Sequence, residues 1–154
     1  MAEDINEKIK KLGIEIPSIP KPKFSYVPGV ITGNLIYVSG QTPTKEGKLV
    51  YRGKLGRELK IEEGYEAARL AAINCVAELK LILGDLDRVK RIVNVGGYVA
   101  SGEGFVKQPA VVNGASDLIV EIWGEDGKHS RKAIGVYALP DGAPVEIDLI
   151  AEIK

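Results

Sequence analysis

The sequence predicts one α+β domain, and three observations lead there. A long helical period runs from about Ile61 to Leu83, with apolar residues recurring by threes and fours at Ala68, Ala72, Val76, Leu79 and Leu83. A second helix opens at Gln108-Pro109, where proline suits a first turn, and extends to about Ile122. Between and around them lie short apolar runs with strand periodicity; the clearest, Val145 to Ala151, alternates with Glu146, Asp148 and Ile150.

The remaining elements follow in order. Ile5, Ile9 and Leu12 form an apolar stripe between Asp4, a cap, and Gly13, a stop, which predicts a short first helix. Pro17, Pro20 and Pro22 make an extended connector, so residues 1–23 read as a helix and linker preceding a domain at 24–154. Phe24 to Val27 and Leu35 to Val38 read as strands, with Gly33-Asn34 as a hairpin turn. Gln41 to Arg57 is a polar, glycine-rich loop with a short strand at Leu49 to Tyr51. Arg91 to Val99 is a strand in which Gly96-Gly97 marks a bulge or a close backbone approach. Two further strands, 131–138 and 145–152, read as a hairpin around Leu139 to Pro144. The order β-β-(β)-α-β-α-β-β predicts a mixed or mostly antiparallel sheet with two helices on one face. Its other face mixes carboxylates with apolar residues, so partner subunits are expected to cover part of it.

Composition narrows the function. Lys plus Arg and Asp plus Glu each number 21, so no global positive field draws nucleic acid or an anionic membrane. The single Cys75 cannot form an internal disulfide and sits among apolar helix residues, which predicts a buried, inert thiol. The polar start and the lack of a long apolar run predict a cytoplasmic protein with no membrane span. One His and one Cys give no spaced ligand set for a transition metal and no basis for a serine triad. His129, in a Gly-Lys-His-Ser turn, reads as solvated.

Two residues stand out. Ser130, Ala133 and Gly135 keep bulk away from Arg131, leaving room for its planar guanidinium to clamp a carboxylate through two parallel hydrogen bonds. Glu146 lies between Val145 and Ile147, held firmly enough to orient a water or move a proton. If the last two strands pair as a hairpin, Arg131 lies opposite about Glu152 and Glu146 opposite about Tyr137. The two are then roughly 15–20 Å apart along the strands. Either they do not act together, or one site draws them from different subunits.

Four segments together resemble the reactive intermediate deaminase (Rid or YjgF) family, which also carries the labels translation initiation inhibitor and L-PSP endoribonuclease. They are Tyr26 to Val30, Gly33 to Gln41, Val112-Asn113, and Arg131 through Leu139-Pro140 to Glu146. The resemblance implies a chorismate-mutase-like α+β fold, a homotrimer with a ligand cleft at each subunit interface, and no metal or organic cofactor. It implies hydrolysis of 2-imino or 2-enamino acids to 2-keto acids and ammonia. Arg131 matches the carboxylate-binding arginine and Glu146 the acid that positions water or handles protons. Tyr26, Ser39, Gly40 and Asn113 match residues lining the pocket, and Ala133 stands where a cysteine is commoner. That substitution, Lys132, the 42–60 loop and the N-terminal helix mark a divergent subgroup. Two alternatives stay open: a trimer that binds a carboxylate metabolite without turning it over, and a translation inhibitor or endoribonuclease.

Overall fold

Helix caps and periodicities settle where the helices lie in the computed structural model, which describes residues 3–19, Ser25 and 27–154. In α1 (Ile5–Lys11) the Asp4 carboxylate accepts from the Asn6 and Glu7 N–H groups, and Gly13, at φ +70°, follows the last turn. α2 (Ile61–Leu83) starts where the Glu63 carboxylate accepts the Lys60 N–H, at 3.0 Å, and stops at Gly84. α3 (Gln108–Trp123) carries Pro109 in its first turn. No described helix is long and apolar enough to cross a membrane.

The strands are β1 (Gly29–Thr32), β2 (Leu35–Gln41), β3 (Thr44–Lys45), β4 (Lys48–Leu49), β5 (Val89–Ala100), β6 (Ser130–Val136) and β7 (Val145–Ile153). The Gly33-Asn34 hairpin forms, with Thr32 opposite Leu35 and positive φ at Gly33 alone, as a turn with glycine first requires. Its first arm is Gly29–Thr32 rather than Phe24 to Val27; Val27 precedes the strand, and Phe24 and Tyr26 lie outside the described residues. In the polar loop, Lys48–Leu49 pairs with Thr44–Lys45 as a small hairpin, slightly before the strand expected at Leu49 to Tyr51. The buried Asn74 of α2 pins it by donating to the Thr42 and Thr44 carbonyls, each at 3.0 Å.

The main sheet has the order β1-β2-β7-β5-β6. β6 runs parallel to β5, while β7 pairs antiparallel with both β2 and β5. This overturns the hairpin expected between the last two strands: β5 lies between them, so Arg131 is not opposite Glu152, nor Glu146 opposite Tyr137. The physical reason is burial. Val145, Ile147, Leu149, Ala151 and Ile153 are all buried and need the central place under the helices. β6, with Lys132, Gly135 and exposed Ile134, tolerates an edge. The chain reaches β6 from β5 through α3, and α2 likewise links β2 to β5 across the gap that β7 fills. Both crossovers place their helices on one sheet face.

Two glycines set how closely the layers approach. Gly97, on β5, leaves room for Val112 of α3, whose Cγ2 would lie 2.5 Å from an added Cβ. Gly114, on α3, lies against the Tyr65 carbonyl of α2, where a Cβ has no space. Gly114→Ala is therefore expected to destabilise the fold by about 2 kcal/mol through forced separation of the helices, measured by denaturant unfolding.

The buried polar groups of α2 differ in kind. Cys75 is fully buried, its thiol donates to the Ile147 carbonyl at 3.3 Å, and burial pushes its pKa up, as an inert thiol requires. Glu78 is also buried, and its Oε2 has no hydrogen-bond partner. Desolvation raises its pKa above the ordinary 4.5, so the neutral carboxyl is favoured in the fold and stability is lost as pH rises past the unfolded-state value. Glu78→Gln should raise stability by about 1 kcal/mol at neutral pH, a gap that closes on acidification in thermal melts at several pH values.

Candidate functional site

The expected site residues fall into two groups on opposite sides of the sheet. Arg131 of β6 pairs with Val95 of β5, a fully buried residue, so its side chain faces the helix layer. There Nη1 donates to Ser116 Oγ at 3.0 Å and Nη2 to the Pro109 carbonyl at 3.4 Å, both on α3. Pro109, Asn113 and Ser116 sit at i, i+4 and i+7, on one stripe of the helix. A guanidinium that reaches both ends of that stripe lies beside Asn113, which is exposed. Ala133, two residues along β6, lines the same side and packs against the core. Gly135 is small because the Gln108 amide lies over it: an added Cβ would be 2.8 Å from Nε2. Arg131 and Ala133 thus face α3 from the edge strand β6, on the side where Asn113 lies.

Glu146 belongs to the other side. It pairs with Tyr98, between the buried Val145 and Ile147, and so faces away from the helices. The β2 ladder slips beside it: Val38 faces Leu149, yet Gln41 faces Ile147, so Ser39-Gly40 holds an extra residue as a bulge. The bulge brings Gly40 against the Glu146 carboxylate, whose Oε2 would be 2.7 Å from a Cβ there. Ser39 is turned to another purpose. Its hydroxyl donates to the Val27 carbonyl at 2.7 Å and its N–H to that of Pro28 at 2.9 Å, tying down the segment that follows Tyr26. Tyr26 itself lies outside the described residues.

Desolvation, then the Asp148 charge, raise the Glu146 pKa above the usual 4.5. Asp148 lies two residues along the same face, accepts from the Tyr98 hydroxyl at 3.1 Å, and occupies the space that Gly96 leaves open. A carboxylate so placed can take up and return a proton near neutral pH more readily than a solvated glutamate.

Arg131 and Glu146 do not meet within the chain. The register sets them three residues apart along the strands, about 10 Å, and two strands apart across the sheet, another 10 Å or so, on opposite faces. The two residues do lie apart, but their offset along the strands is shorter than the roughly 15–20 Å expected from sequence, because the hairpin used to argue it does not form. A well-formed cleft lies elsewhere. It measures about 840 Å³, lies between residues 12–19, the β3–β4 hairpin and α2, and includes none of the expected site residues. Its guanidinium, Arg69, is paired with Glu121 at 3.2 Å, and the Lys45 ammonium is its other cation.

Sequence reasoning missed Ser116, Asp148 and Tyr98, and it misread His129. That histidine is half-buried and bonded on both ring nitrogens, not solvated. The signal for Asp148 was present in the strict alternation Glu146-Ile147-Asp148; Ser116 had none, because its contact with Arg131 depends on how α3 crosses β6.

Residues 6–153 match the family model described as "YjgF/chorismate mutase-like, putative endoribonuclease". The chain belongs to the YjgF family and has its chorismate-mutase-like α+β fold. It is 43% identical over 147 residues to Protein TCP17 of Trypanosoma cruzi, covering 95% of this chain and 92% of that protein. A candidate endoribonuclease from Shewanella oneidensis superposes with a TM-score of 0.94 at 35% identity, over 98% of this chain and all of that one. RidA from an Antarctic Psychrobacter is more distant, at 26% identity and a TM-score of 0.60 over 87% of this chain and 93% of its own. The drop between those two scores places this chain in a divergent subgroup of the family.

Proposed function

We propose that the protein hydrolyses reactive 2-imino or 2-enamino acids to 2-keto acids and ammonia, at sites shared between subunits of a homotrimer. The observation that carries this reading is the division of the candidate residues. An arginine with free donors lies on one side of the sheet and a half-buried glutamate of raised pKa on the other, so neither completes a site alone. A second copy whose sheet covers the open face brings one half of each type together. Exposed Val30, Tyr37 and Ile134 give that face apolar area to bury.

The chemistry asks little of the protein. Arg131 fixes the substrate carboxylate, with Asn113 and Ala133 beside it, and a partner's Glu146 orients one water. The water oxygen adds to the imine carbon and its proton passes to Glu146. Glu146 returns the proton to nitrogen, giving a carbinolamine; Glu146 then takes the carbinolamine hydroxyl proton and passes it to the same nitrogen as the carbon–nitrogen bond breaks, so that ammonia leaves as the carbonyl forms. An enamine first takes a proton on its β-carbon to become the imine. Gly40 lets the backbone lie close to the carboxylate that does this work, and Ser39 beside it ties down the Val27-Pro28 segment. No metal or organic cofactor enters any step.

The test couples the protein to a dehydratase that produces 2-aminoacrylate or 2-aminocrotonate and follows keto-acid release. Acceleration over spontaneous hydrolysis is the expected result. Binding of 2-oxobutanoate without acceleration would replace the enzyme with a carboxylate-binding trimer. Sedimentation should give three times the 16.6 kDa chain mass, and a monomer would contradict the shared site. The endoribonuclease reading found among the relatives' names lacks a basic surplus here, with 21 cationic against 21 acidic side chains.

A further inference from the structure

Ser116 and His129 take no part in the proposed chemistry, yet both stand directly behind Arg131. His129 Nδ1 lies 2.6 Å from the Gly127 carbonyl oxygen, which can only accept, so Nδ1 carries the proton. In the neutral ring Nε2 is then an acceptor, and it faces the Ser116 hydroxyl at 2.9 Å. Ser116 donates to it and keeps its oxygen lone pairs for Arg131 Nη1 at 3.0 Å. The hydrogen bonds are therefore fixed in direction at every link. The far end is anchored too, since Gly127 is pressed onto α3, where an added Cβ would lie 2.6 Å from the Ile119 carbonyl.

A lone serine behind Arg131 would orient it poorly, because a hydroxyl rotates and can donate to any acceptor nearby. The imidazole removes that freedom. Of the five guanidinium N–H groups, Ser116 and Pro109 hold two from behind, and three, including Nε–H, stay available.

We infer that His129 is a positioning residue which, acting through Ser116, fixes the plane in which Arg131 presents its remaining donors to a carboxylate. This rests on the reading of Arg131 as the carboxylate-binding residue, and two readouts keep the failures apart. Without ligand, the Arg131 Nε–Hε resonance in NMR spectra should shift and broaden in His129→Leu and in Ser116→Ala, and return in Ser116→Thr, which keeps the hydroxyl. With 2-oxobutanoate as the calorimetric probe, His129→Leu and Ser116→Ala should each weaken binding by about five- to tenfold. The double variant should be no weaker than Ser116→Ala, since the histidine acts only through the serine. An unmoved Arg131 resonance, or losses that add in the double variant, overturns the positioning role and leaves the carboxylate reading intact. A resonance that follows His129 in a wild-type protein that binds no 2-oxobutanoate upholds the positioning and overturns the carboxylate reading.

Discussion

Arg131→Ala is expected to abolish acceleration of imine hydrolysis and to weaken 2-oxobutanoate binding by about a hundredfold or more. Two parallel charge-assisted hydrogen bonds are lost together, each roughly twice as strong as a neutral one. The fold should survive, because among the described residues the guanidinium hydrogen-bonds to Ser116 and the Pro109 carbonyl and is not part of the apolar core. Arg131→Lys should recover little. An ammonium keeps the charge but loses the planar fork that engages both carboxylate oxygens and the two contacts on α3 at once. Calorimetry with the keto acid and the coupled hydrolysis assay check both variants, and thermal melts confirm that they fold.

Glu146→Gln should lower kcat by about a hundredfold or more and leave KM nearly unchanged, because the carboxylate handles the water and its proton, not the substrate carboxylate. Its pH dependence has a fixed sign. Burial and the Asp148 charge raise the Glu146 pKa, and the ionised form is the one that accepts the water proton. Activity therefore falls as pH drops through a value above 4.5, the ordinary figure for glutamate. Removing the like charge with Asp148→Asn should move that acid limb to lower pH. An acid limb unaffected by Asp148→Asn, together with full activity in Glu146→Gln, would remove Glu146 from the chemistry.

The parts of the fold legible in the sequence are those governed by local rules. Asp4 and Gly13 bound α1, Pro109 opens α3, and the spacing of Ala68, Ala72, Val76, Leu79 and Leu83 gives α2, because caps and periodicity act over a few residues. Alternation along Val145 to Ala151 correctly gave the buried face of β7. What failed was long-range pairing. Nothing local to Leu139–Pro144 says that the chain steps past β5, since that choice depends on which strand can bury five apolar residues under two helices. The site follows the same division. Arg131 and Ala133 lie on the helix side of β6, near Asn113 of α3, while Gly40 lies against Glu146 on the other side of the sheet. The bulge at Ser39-Gly40 and the bonds from His129 through Ser116 to Arg131 arise from tertiary register, which composition and spacing do not encode.

The central claim is that each site takes its arginine from one chain and its glutamate from another, and subunit mixing tests it most directly. Arg131→Ala and Glu146→Gln trimers, each inactive alone, are dissociated, combined in equal amounts and reassembled. Random mixing gives heterotrimers with one intact site of three, so about a quarter of wild-type activity should return. Mixed trimers confirmed by native mass spectrometry that remain as inactive as either parent would contradict the shared site.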